Sequence, residues 1–456
     1  MVRDIQSVMI PAVEDTGRPV LNGLYEQLLR RGLHYFLPSA NLEIVRGTRE
    51  PAPELVFHGS SHSLSFDWLG NQYTVTNPRE FSDHQQRMVR SIGSFLSMRY
   101  RLLFDHEIGA QNTPIFSGLT EDRYVSTFLG GGAFDDTRTA ATLPDRVSEA
   151  IEVLRISALS SYEDKRISTG ALLFGTMPDA CHPLPPRRAD ARPYSSDLTS
   201  IRSFHRICDG LRTIAVVDER GFMVELVDMQ EWAQPFSQMQ LPVPTTRRYR
   251  THCQATLCGG HVCLVLTPNG EIKIFGDGVQ LFNFFDGRWR LTDAVSKYQA
   301  WEAAIGSKDL AERLFSAGLN LAEHRRGGMF VVLEDPKHAR HLVSGPDLLE
   351  TDPGNRGGAK NLLHYLLRKT RANELSPAVL ESIAQIDGSV VLDRDSKLLA
   401  FGAILRHRPP ADENEDIGEG GRTAAAIGAS QFGHVLMISE GGQVSFYWKG
   451  HCVWTL

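Results

Sequence analysis

Apolar residues at helical spacing predict two long amphipathic helices. The first begins at Ser82, which matches a capping box with Gln85. Its apolar face consists of Met88, Ile92, Phe95 and Tyr100. The second lies in "KYQAWEAAIGSKDLAERLFSAGLNLAEHRRGG" and is expected to stop at Gly327-Gly328. Its apolar stripe consists of Leu310, Leu314, Ala317 and Leu321. A shorter helix is predicted to open at Ser376, with Pro377 in the first helical position.

Apolar and β-branched runs between turn sequences predict strands. In the middle of the chain, "GALLFGT", "LRTIAVVDERGFMVELVDM" and "HVCLVLTPNGEIKIFGDGVQLFNFFDGRWRLTD" predict an antiparallel sheet of several hairpins. Towards the carboxyl end, strands are predicted in "MFVVLED", "GSVVLD", "LLAFGAIL", "HVLMIS" and "QVSFYWKG". Weaker strand signals, "ELVFHG" and "SLSFDWLGNQYTV", precede the first long helix.

These elements divide the chain into three predicted parts. Residues 1–115 form a small α/β module, residues 116–295 a β-rich module and residues 296–456 an α/β domain, so the fold class is α+β overall. A chain of 456 residues exceeds what one hydrophobic core usually serves, which agrees with more than one domain.

Composition and charge exclude several classes of protein. Hydrophobic residues make up 42% of the chain and charged residues 22%, which is typical of globular proteins and not of fibrous or disordered ones. A net charge of −6 gives no general attraction to nucleic acid or to an anionic membrane. There is no apolar run of membrane-spanning length, the amino terminus carries charges, and the six cysteines are scattered. We therefore expect a cytoplasmic protein with reduced thiols.

Three local patterns have both a ligand-binding and a structural interpretation. "HCQATLCGGHVC" contains soft zinc ligands, but it lacks a second ligand pair, so Cys258 and Cys263 are expected to be small buried side chains in strands. "FLGGGAF" lacks the spacing of a phosphate-binding loop and is expected to be a turn. The proline-rich loop "CHPLPPRRADARPYSSD" either binds an anion or is solvated, and its arginines are Arg187, Arg188 and Arg192.

The carboxyl-terminal domain contains two segments that match a known family. "IDGSVVLDRDSKLLAFGAIL" includes Asp387-Gly388-Ser389, and "RTAAAIGASQFGHVLMISEGGQVSFY" begins at Arg422. With the preceding "LAEHRRGGMFVVLED", these segments give residues 310–456 a resemblance to the nucleotide-binding domain of the diadenylate cyclase family, which includes the DNA-integrity-scanning proteins. In that family an Asp-Gly-Ala turn and an Arg-His-Arg turn face each other around ATP. Two such domains meet, and each ATP 3′-hydroxyl attacks the α-phosphate of the other.

The resemblance implies a ligand, a metal and an assembly. The ligand is an adenine nucleotide, either ATP or a cyclic dinucleotide, and the assembly is a homo-oligomer. Asp387 would hold Mg²⁺ or Mn²⁺ or orient a hydroxyl, Gly388 would allow close approach of the backbone, and Ser389 stands where the family has alanine. Without the resemblance, the same three residues are compatible with an ordinary turn between a helix and a strand.

The second turn is degenerate. Alignment through Ala425–Gly428 places Arg422, Thr423 and Ala424 where the family has arginine, histidine and arginine. The literal Arg406-His407-Arg408 lies too early in the chain and is interpreted as a coincidence. Loss of one preorganised donor typically slows a reaction about a hundredfold to a thousandfold, so the loss of two predicts a pocket that binds nucleotide but turns it over poorly.

Further polar residues complete the implied site. The nucleotide-binding residues that the resemblance implies are Asp387, Gly388, Ser389, Gly421, Arg422, Thr423, Ser430, Ser439 and Glu440. The loop "PPADENEDIGEGG" adds five carboxylates, which are either solvated or bridged to a phosphate by a metal ion.

Three functions remain open at this point. The first is a nucleotide-binding sensor with a degenerate cyclase domain, joined to the amino-terminal modules. The second is an active diadenylate cyclase that makes cyclic di-AMP from two ATP. The third is a structural interaction module that binds no nucleotide. Incubation with ATP and manganese distinguishes them. Binding without a product indicates the sensor, a cyclic dinucleotide product indicates the cyclase, and no binding indicates the structural module.

Overall fold

The computed structural model describes residues 18–47, 55–103, 118–130, 146–162, 165–175, 185–349, 364, 366–406 and 420–456. The chain forms two compact units, each built from two stretches of sequence. Unit 1 comprises Met1–Phe236 and Ala255–Asp293, and unit 2 comprises Ser237–Gln254 and Ala294–Leu456. Helices and several sheets occur together, which confirms the predicted α+β class. The three-part division at residues 115 and 295 stays a prediction.

Unit 1 contains two larger sheets. The four-stranded sheet has the order β1-β4-β3-β2 and is antiparallel throughout. Its strands are β1 (Asn41–Arg46), β2 (Phe57–Gly59), β3 (Ser63–Trp68) and β4 (Asn71–Thr76). A short hairpin joins β5 (Ser161–Tyr162) and β6 (Lys165–Arg166).

The second sheet of unit 1 has seven strands in the order β13-β12-β11-β10-β7-β8-β9. They are β7 (Thr169–Leu173), β8 (Thr213–Val217), β9 (Met223–Asp228), β10 (Val262–Leu266), β11 (Ile272–Gly276), β12 (Val279–Phe285) and β13 (Arg288–Leu291). The prediction of a wholly antiparallel sheet is wrong at one pair, because β7 and β8 run parallel. Parallel strands need a long crossover connection, and hairpin signals in the sequence do not reveal one.

The described residues of unit 1 also form six helices. They are α1 (Arg18–Phe36), α2 (Asp83–Leu102), α3 (Thr120–Leu129), α4 (Arg146–Ala158), α5 (Arg202–Ile207) and α6 (Met229–Ala233). The capping box at the start of α2 is confirmed, since the Ser82 side chain accepts from the Gln85 backbone and the Gln85 side chain accepts from the Ser82 backbone. Among the described residues, no helix has the length and apolar content that a bilayer span requires.

Unit 2 is built on a six-stranded sheet with the order β16-β15-β14-β17-β18-β19. Its strands are β14 (Gly328–Leu333), β15 (Ser389–Asp393), β16 (Leu398–Ala403), β17 (Gly433–Ile438), β18 (Val444–Trp448) and β19 (His451–Thr455). β14 and β15 are parallel, and the other neighbours are antiparallel. β14, β15 and β17 are buried along their whole length, which explains their continuous apolar runs.

The larger helices of unit 2 cover both faces of this sheet. The helices are α7 (Arg250–Ala255, whose last residue belongs to unit 1), α8 (Ala294–Ile305), α9 (Lys308–Glu323), α10 (Ala339–Leu342), α11 (Pro377–Ala384) and α12 (Gly421–Ala429). On one face, Gly318 of α9 lies beside the side chains of Leu436 and Ile438. On the other, Ala426 of α12 shares a buried cluster with Met437. Alternate residues of β17 point to opposite faces, so α9 and α12 sandwich the sheet.

Two helix predictions are confirmed in part, because the stretch predicted as one long helix contains two, α8 and α9, separated at Gly306 and Ser307. The Ser376 side chain caps α11 by accepting from the Val379 backbone N–H, with Pro377 in the first turn. The predicted apolar stripe of α9 is buried. However, α9 ends at Glu323, and Gly328 is already the first residue of β14.

The segment Ser237–Gln254, called the strap below, is held in unit 2 by two carboxylates. Arg247 forms an ion pair with Glu381 of α11, whose side chain is only 9% exposed. Tyr249 Oη donates to Glu323 Oε1 of α9 over 2.9 Å. The strap therefore joins the two helices that precede β14 and β15 in the chain.

Candidate functional site

The turn from α11 into β15 is tightly packed and leaves a carboxylate exposed. Gly388 has a φ of +116°, a conformation that favours glycine. A Cβ at this position would lie 2.6 Å from the backbone nitrogen of Ala403 in β16, so a side chain has no room. Ser389 is buried, whereas Asp387 is exposed at the surface. This geometry presents the Asp387 carboxylate to solvent on a backbone that glycine holds close to the neighbouring strand.

Two methionines connect this turn with the first turn of α12. Ser389 Oγ donates to Met329 Sδ over 3.4 Å. Met329 pairs with Met437 across β14 and β17. Thr423 Oγ1 donates to Met437 Sδ over 3.9 Å. The beginnings of β14 and β15, the end of β17 and the amino-terminal end of α12 therefore lie at one end of the sheet, which we call the site corner.

Arg422 lies against backbone at this corner. A Cβ added to Gly327 would be 2.7 Å from Arg422 Cζ and 2.9 Å from Nη2, so the guanidinium occupies space that any larger residue would fill. Arg422 Nη2 donates to Glu440 Oε1 over 3.5 Å, and the Glu440 side chain is 77% exposed. Exposed ion pairs contribute at most about 1 kcal/mol, so a ligand could replace this carboxylate at little cost.

The amino terminus of α12 adds backbone donors. The predicted second turn is the start of this nine-residue helix, with Gly420 as its N-cap residue. Glycine has no side chain to accept from the first-turn N–H groups, and the Thr423 and Ala424 N–H groups both donate to Gly420 O. The amino end of a helix favours negative charge. Gly421 and Arg422 therefore present the positive end of a helix at the site corner.

Two further arginines at this corner were not singled out by sequence reasoning. Arg325 Nη1 donates to Gly441 O over 3.3 Å. Arg326 donates through its guanidinium to Gln385 Oε1. Gln385 is the C-cap residue of α11, two positions before Asp387. The signal in the sequence was the adjacent basic pair of "EHRRGG", a pattern that is equally typical of the end of a helix.

The remaining predicted residues separate into two places. Ser439 Oγ accepts from Gln443 N over 3.1 Å and closes the turn that carries Glu440, so both lie near Arg422. Ser430 is the C-cap of α12, where its Oγ donates to Ile427 O and accepts from Gly450 N. The structure therefore brings Ser439 and Glu440 to the site corner and places Ser430 at the opposite end of the helix.

The literal basic tripeptide and the acidic loop are only partly described. Arg406 is exposed, and its backbone N–H donates to Leu342 O over 2.8 Å. His407, Arg408 and the five carboxylates of "PPADENEDIGEGG" lie outside the described residues. Asp387 is thus the predicted metal ligand that can be placed. One exposed carboxylate fits Mg²⁺ or Mn²⁺ bound jointly with nucleotide phosphates, since such ions usually keep few protein ligands.

The cysteine and glycine patterns have structural roles where they are described. Within the described ranges, no group of three or more His, Cys, Asp or Glu side chains is arranged to hold a metal ion. Cys263 is buried in β10 as expected, whereas Cys258 is half-buried and precedes that strand. Gly130 is the C-cap of α3, and Gly131 and Gly132 lie outside the described residues.

Two of the three loop arginines of unit 1 have carboxylate neighbours. Arg187 Nη1 lies 3.7 Å from Asp218 Oδ2, and Arg188 Nε lies 3.4 Å from Asp190 Oδ1. The backbone carbonyl of Arg192 accepts from Met223 N. These contacts favour the structural interpretation of the loop.

Comparison with known proteins does not show a family for this chain. No family model matches it, and no curated protein matches it either. Among solved structures, a hypothetical membrane spanning protein from Bacillus cereus is 20% identical with a TM-score of 0.27, covering 35% of this chain and 70% of that one. A double mutant of DacA from Staphylococcus aureus is 16% identical with a TM-score of 0.21, covering 34% of this chain and 87% of that one. At such low TM-scores, neither likeness supports an assignment of function.

Proposed function

We propose that unit 2 is a degenerate diadenylate-cyclase-like domain that binds an adenine nucleotide, ATP or a cyclic dinucleotide, and turns it over poorly. The proposal rests above all on the site corner, where the Asp387–Ser389 turn and the start of α12 meet through Met329 and Met437. In the family that the sequence resembles, the two corresponding turns face each other around ATP.

The chemistry of the corner suits a nucleotide. Asp387 offers a carboxylate for a ribose hydroxyl or for a divalent ion, and Gly388 lets the turn that carries Asp387 pack against the backbone of β16. Arg422 and the first-turn N–H groups of α12 offer positive charge to phosphate oxygens. Mg²⁺ or Mn²⁺ bound with the nucleotide would neutralise phosphate charge, and Asp387 would hold it.

Low turnover follows from the residues that replace the family's cations. The Thr423 hydroxyl donates to the Met437 thioether and so belongs to the packing over the sheet. Ala424 contributes only a methyl group. Each missing preorganised donor typically lowers a rate about a hundredfold to a thousandfold, whereas ground-state binding depends less on any single group. Nucleotide occupancy would then act as a signal by favouring one of two states of the whole chain.

Binding and product formation test the proposal together. We expect the full-length protein to bind ATP or cyclic di-AMP saturably in the presence of Mg²⁺ or Mn²⁺, with no rapid formation of a cyclic dinucleotide by chromatography. Asp387→Ala should abolish the metal-dependent binding, because it removes the carboxylate of the first turn. Arg406→Ala is the matched control and should change little. Brisk conversion of ATP would identify an active cyclase, and no saturable binding by the wild-type protein would refute the proposal.

A further inference from the structure

The loop between α9 and β14 brings a second cationic side chain to the site corner. Arg326 contacts Gln385, which lies two positions before Asp387. Arg422 lies against the backbone of Gly327, the next residue after Arg326. Two guanidinium groups from distant parts of the sequence are thus tied to adjacent parts of one corner.

The backbone of this loop is fixed in place. Arg325 adopts a φ of +52°, an uncommon left-handed conformation for a residue with a side chain. Its N–H donates to Ala322 O over 3.0 Å, and the Arg326 N–H donates to Leu321 O over 2.9 Å. These bonds reverse the chain directly after α9. Arg326 therefore projects from a preorganised loop, which reduces the entropy lost when a ligand binds.

The existing partners of the two arginines are weak ones. Among the described residues, Arg326 is exposed and its hydrogen-bond partner is the neutral amide of Gln385. The partner of Arg422 is the largely exposed Glu440. Neither guanidinium is committed to a buried carboxylate, so both charges remain available for a stronger anionic ligand. Arg325 differs, because its guanidinium is occupied by the backbone carbonyl of Gly441.

We infer that Arg326 and Arg422 together form the phosphate subsite of the site corner. Arg326 supplies in this chain the second cation that Thr423 and Ala424 no longer provide. The inference rests on the proposed function and specifies its ligand, namely an adenine nucleotide with a diphosphate or triphosphate chain. Guanidinium groups donate bidentate hydrogen bonds to phosphate oxygens, so two of them suit a ligand with at least two phosphate charges.

Titrations with a phosphate series test this subsite. ATP, ADP, AMP and adenosine are titrated in turn into the wild-type protein and into Arg326→Gln and Arg422→Gln. Each glutamine variant should bind ATP and ADP about tenfold or more weakly, since charge-assisted hydrogen bonds are the strong ones, and adenosine equally well. Arg326→Lys should recover part of the ATP affinity, because lysine keeps the charge but not the bidentate geometry.

The matched control is an arginine at the other end of the same sheet. Arg394 follows β15 and lies 3.8 Å from Glu334, so like Arg422 it forms an ion pair with a carboxylate that is at least half exposed. Arg394→Gln should bind all four ligands like the wild-type protein. Melting curves of every variant confirm that it is folded.

The outcomes distinguish failure of the proposed nucleotide binding from failure of the phosphate subsite. If the wild-type protein binds neither cyclic di-AMP nor any of the four ligands, the proposed function fails, and the subsite with it. If it binds cyclic di-AMP but neither ATP nor ADP, the subsite is wrong and the proposed function stands. If the wild-type protein binds ATP and the folded Arg326→Gln variant binds it equally well, the subsite is wrong and the proposed function stands. Equal losses for ATP and adenosine would also overturn the subsite, because they would show a general disturbance of the corner.

Discussion

Replacing Gly327 by alanine should displace Arg422 without unfolding the domain. The added Cβ would lie 2.7 Å from Arg422 Cζ, well inside van der Waals contact. The obstructing atoms are the far end of a flexible side chain, so the guanidinium moves and the backbone does not have to. Gly327 is not among the residues with a positive φ, so alanine introduces no backbone strain.

The expected magnitudes differ for stability and for binding. Moving Arg422 away from Glu440 loses an exposed ion pair worth at most about 1 kcal/mol. Replacing glycine by alanine at an unstrained position raises the free energy of unfolding by about 0.4–1 kcal/mol, because it reduces the conformational entropy of the unfolded chain. The free energy of unfolding should therefore stay within about 1 kcal/mol of the wild-type value. A lost charge-assisted contact with phosphate is worth about 1.5–3 kcal/mol, so ATP affinity should fall about tenfold to 150-fold.

Equilibrium titration with ATP, paired with a thermal melt of the same sample, measures both quantities. Gly23→Ala is the matched control, because a Cβ at this position in α1 meets nothing within 4 Å. It should leave ATP affinity unchanged. A folded Gly327→Ala protein with wild-type ATP affinity would show that Arg422, in its observed position, does not bind phosphate.

Three further predictions concern turnover, the strap and pH. The double substitution Thr423→His with Ala424→Arg should raise cyclic dinucleotide formation from ATP, measured by chromatography, if the missing cations alone limit turnover. Arg247→Ala should lower the melting temperature, because it leaves the mostly buried Glu381 carboxylate without its guanidinium. Desolvation by burial lowers the pKa of His434 from its ordinary value. The unfolded chain therefore takes up this proton first, and His434 lowers the free energy of unfolding as the pH falls below about 6.5.

Each of these predictions has a control and a contrary result. No gain of product in the double variant would mean that the pocket or the assembly has changed elsewhere. Arg250→Ala, an exposed arginine of the strap, should melt like the wild-type protein. For His434, the difference in unfolding free energy between pH 7 and pH 5 should be smaller in His434→Gln, and an unchanged difference would contradict the pKa shift.

Local patterns in the sequence predicted several elements of unit 2 but not the contacts between residues that are distant in the chain. The cap at Ser376 and the apolar stripe of α9 depend on neighbouring residues, so sequence spacing reveals them. The contact of Arg422 with Gly327 depends on the pairing of β14 with β17, which runs from Gly328 with Ile438 to Leu333 with Gly433 and so joins residues at least a hundred positions apart. No local pattern encodes that register.

Ser430 shows how the type of an element decides which residues lie close together. The resemblance implies that Ser430 and Arg422 bind the same nucleotide. Because Gly421–Ala429 is helical, eight residues separate the two by about 12 Å along the helix axis. Sequence reasoning did not single out Arg326, because two glycines after a basic pair indicate the end of a helix as readily as a binding loop.

Each unit is built from two separate stretches of sequence, so unit 2 cannot be produced as one continuous fragment without losing the strap. A fragment starting at Ala294 would contain every described residue of the site corner but would lack Arg247 and Tyr249, leaving Glu381 and Glu323 without those partners. If this fragment aggregated or failed to fold, that result would not test whether unit 2 binds a nucleotide. A chimera that contains unit 2 would therefore have to include two separate segments, Ser237–Gln254 and Ala294–Leu456.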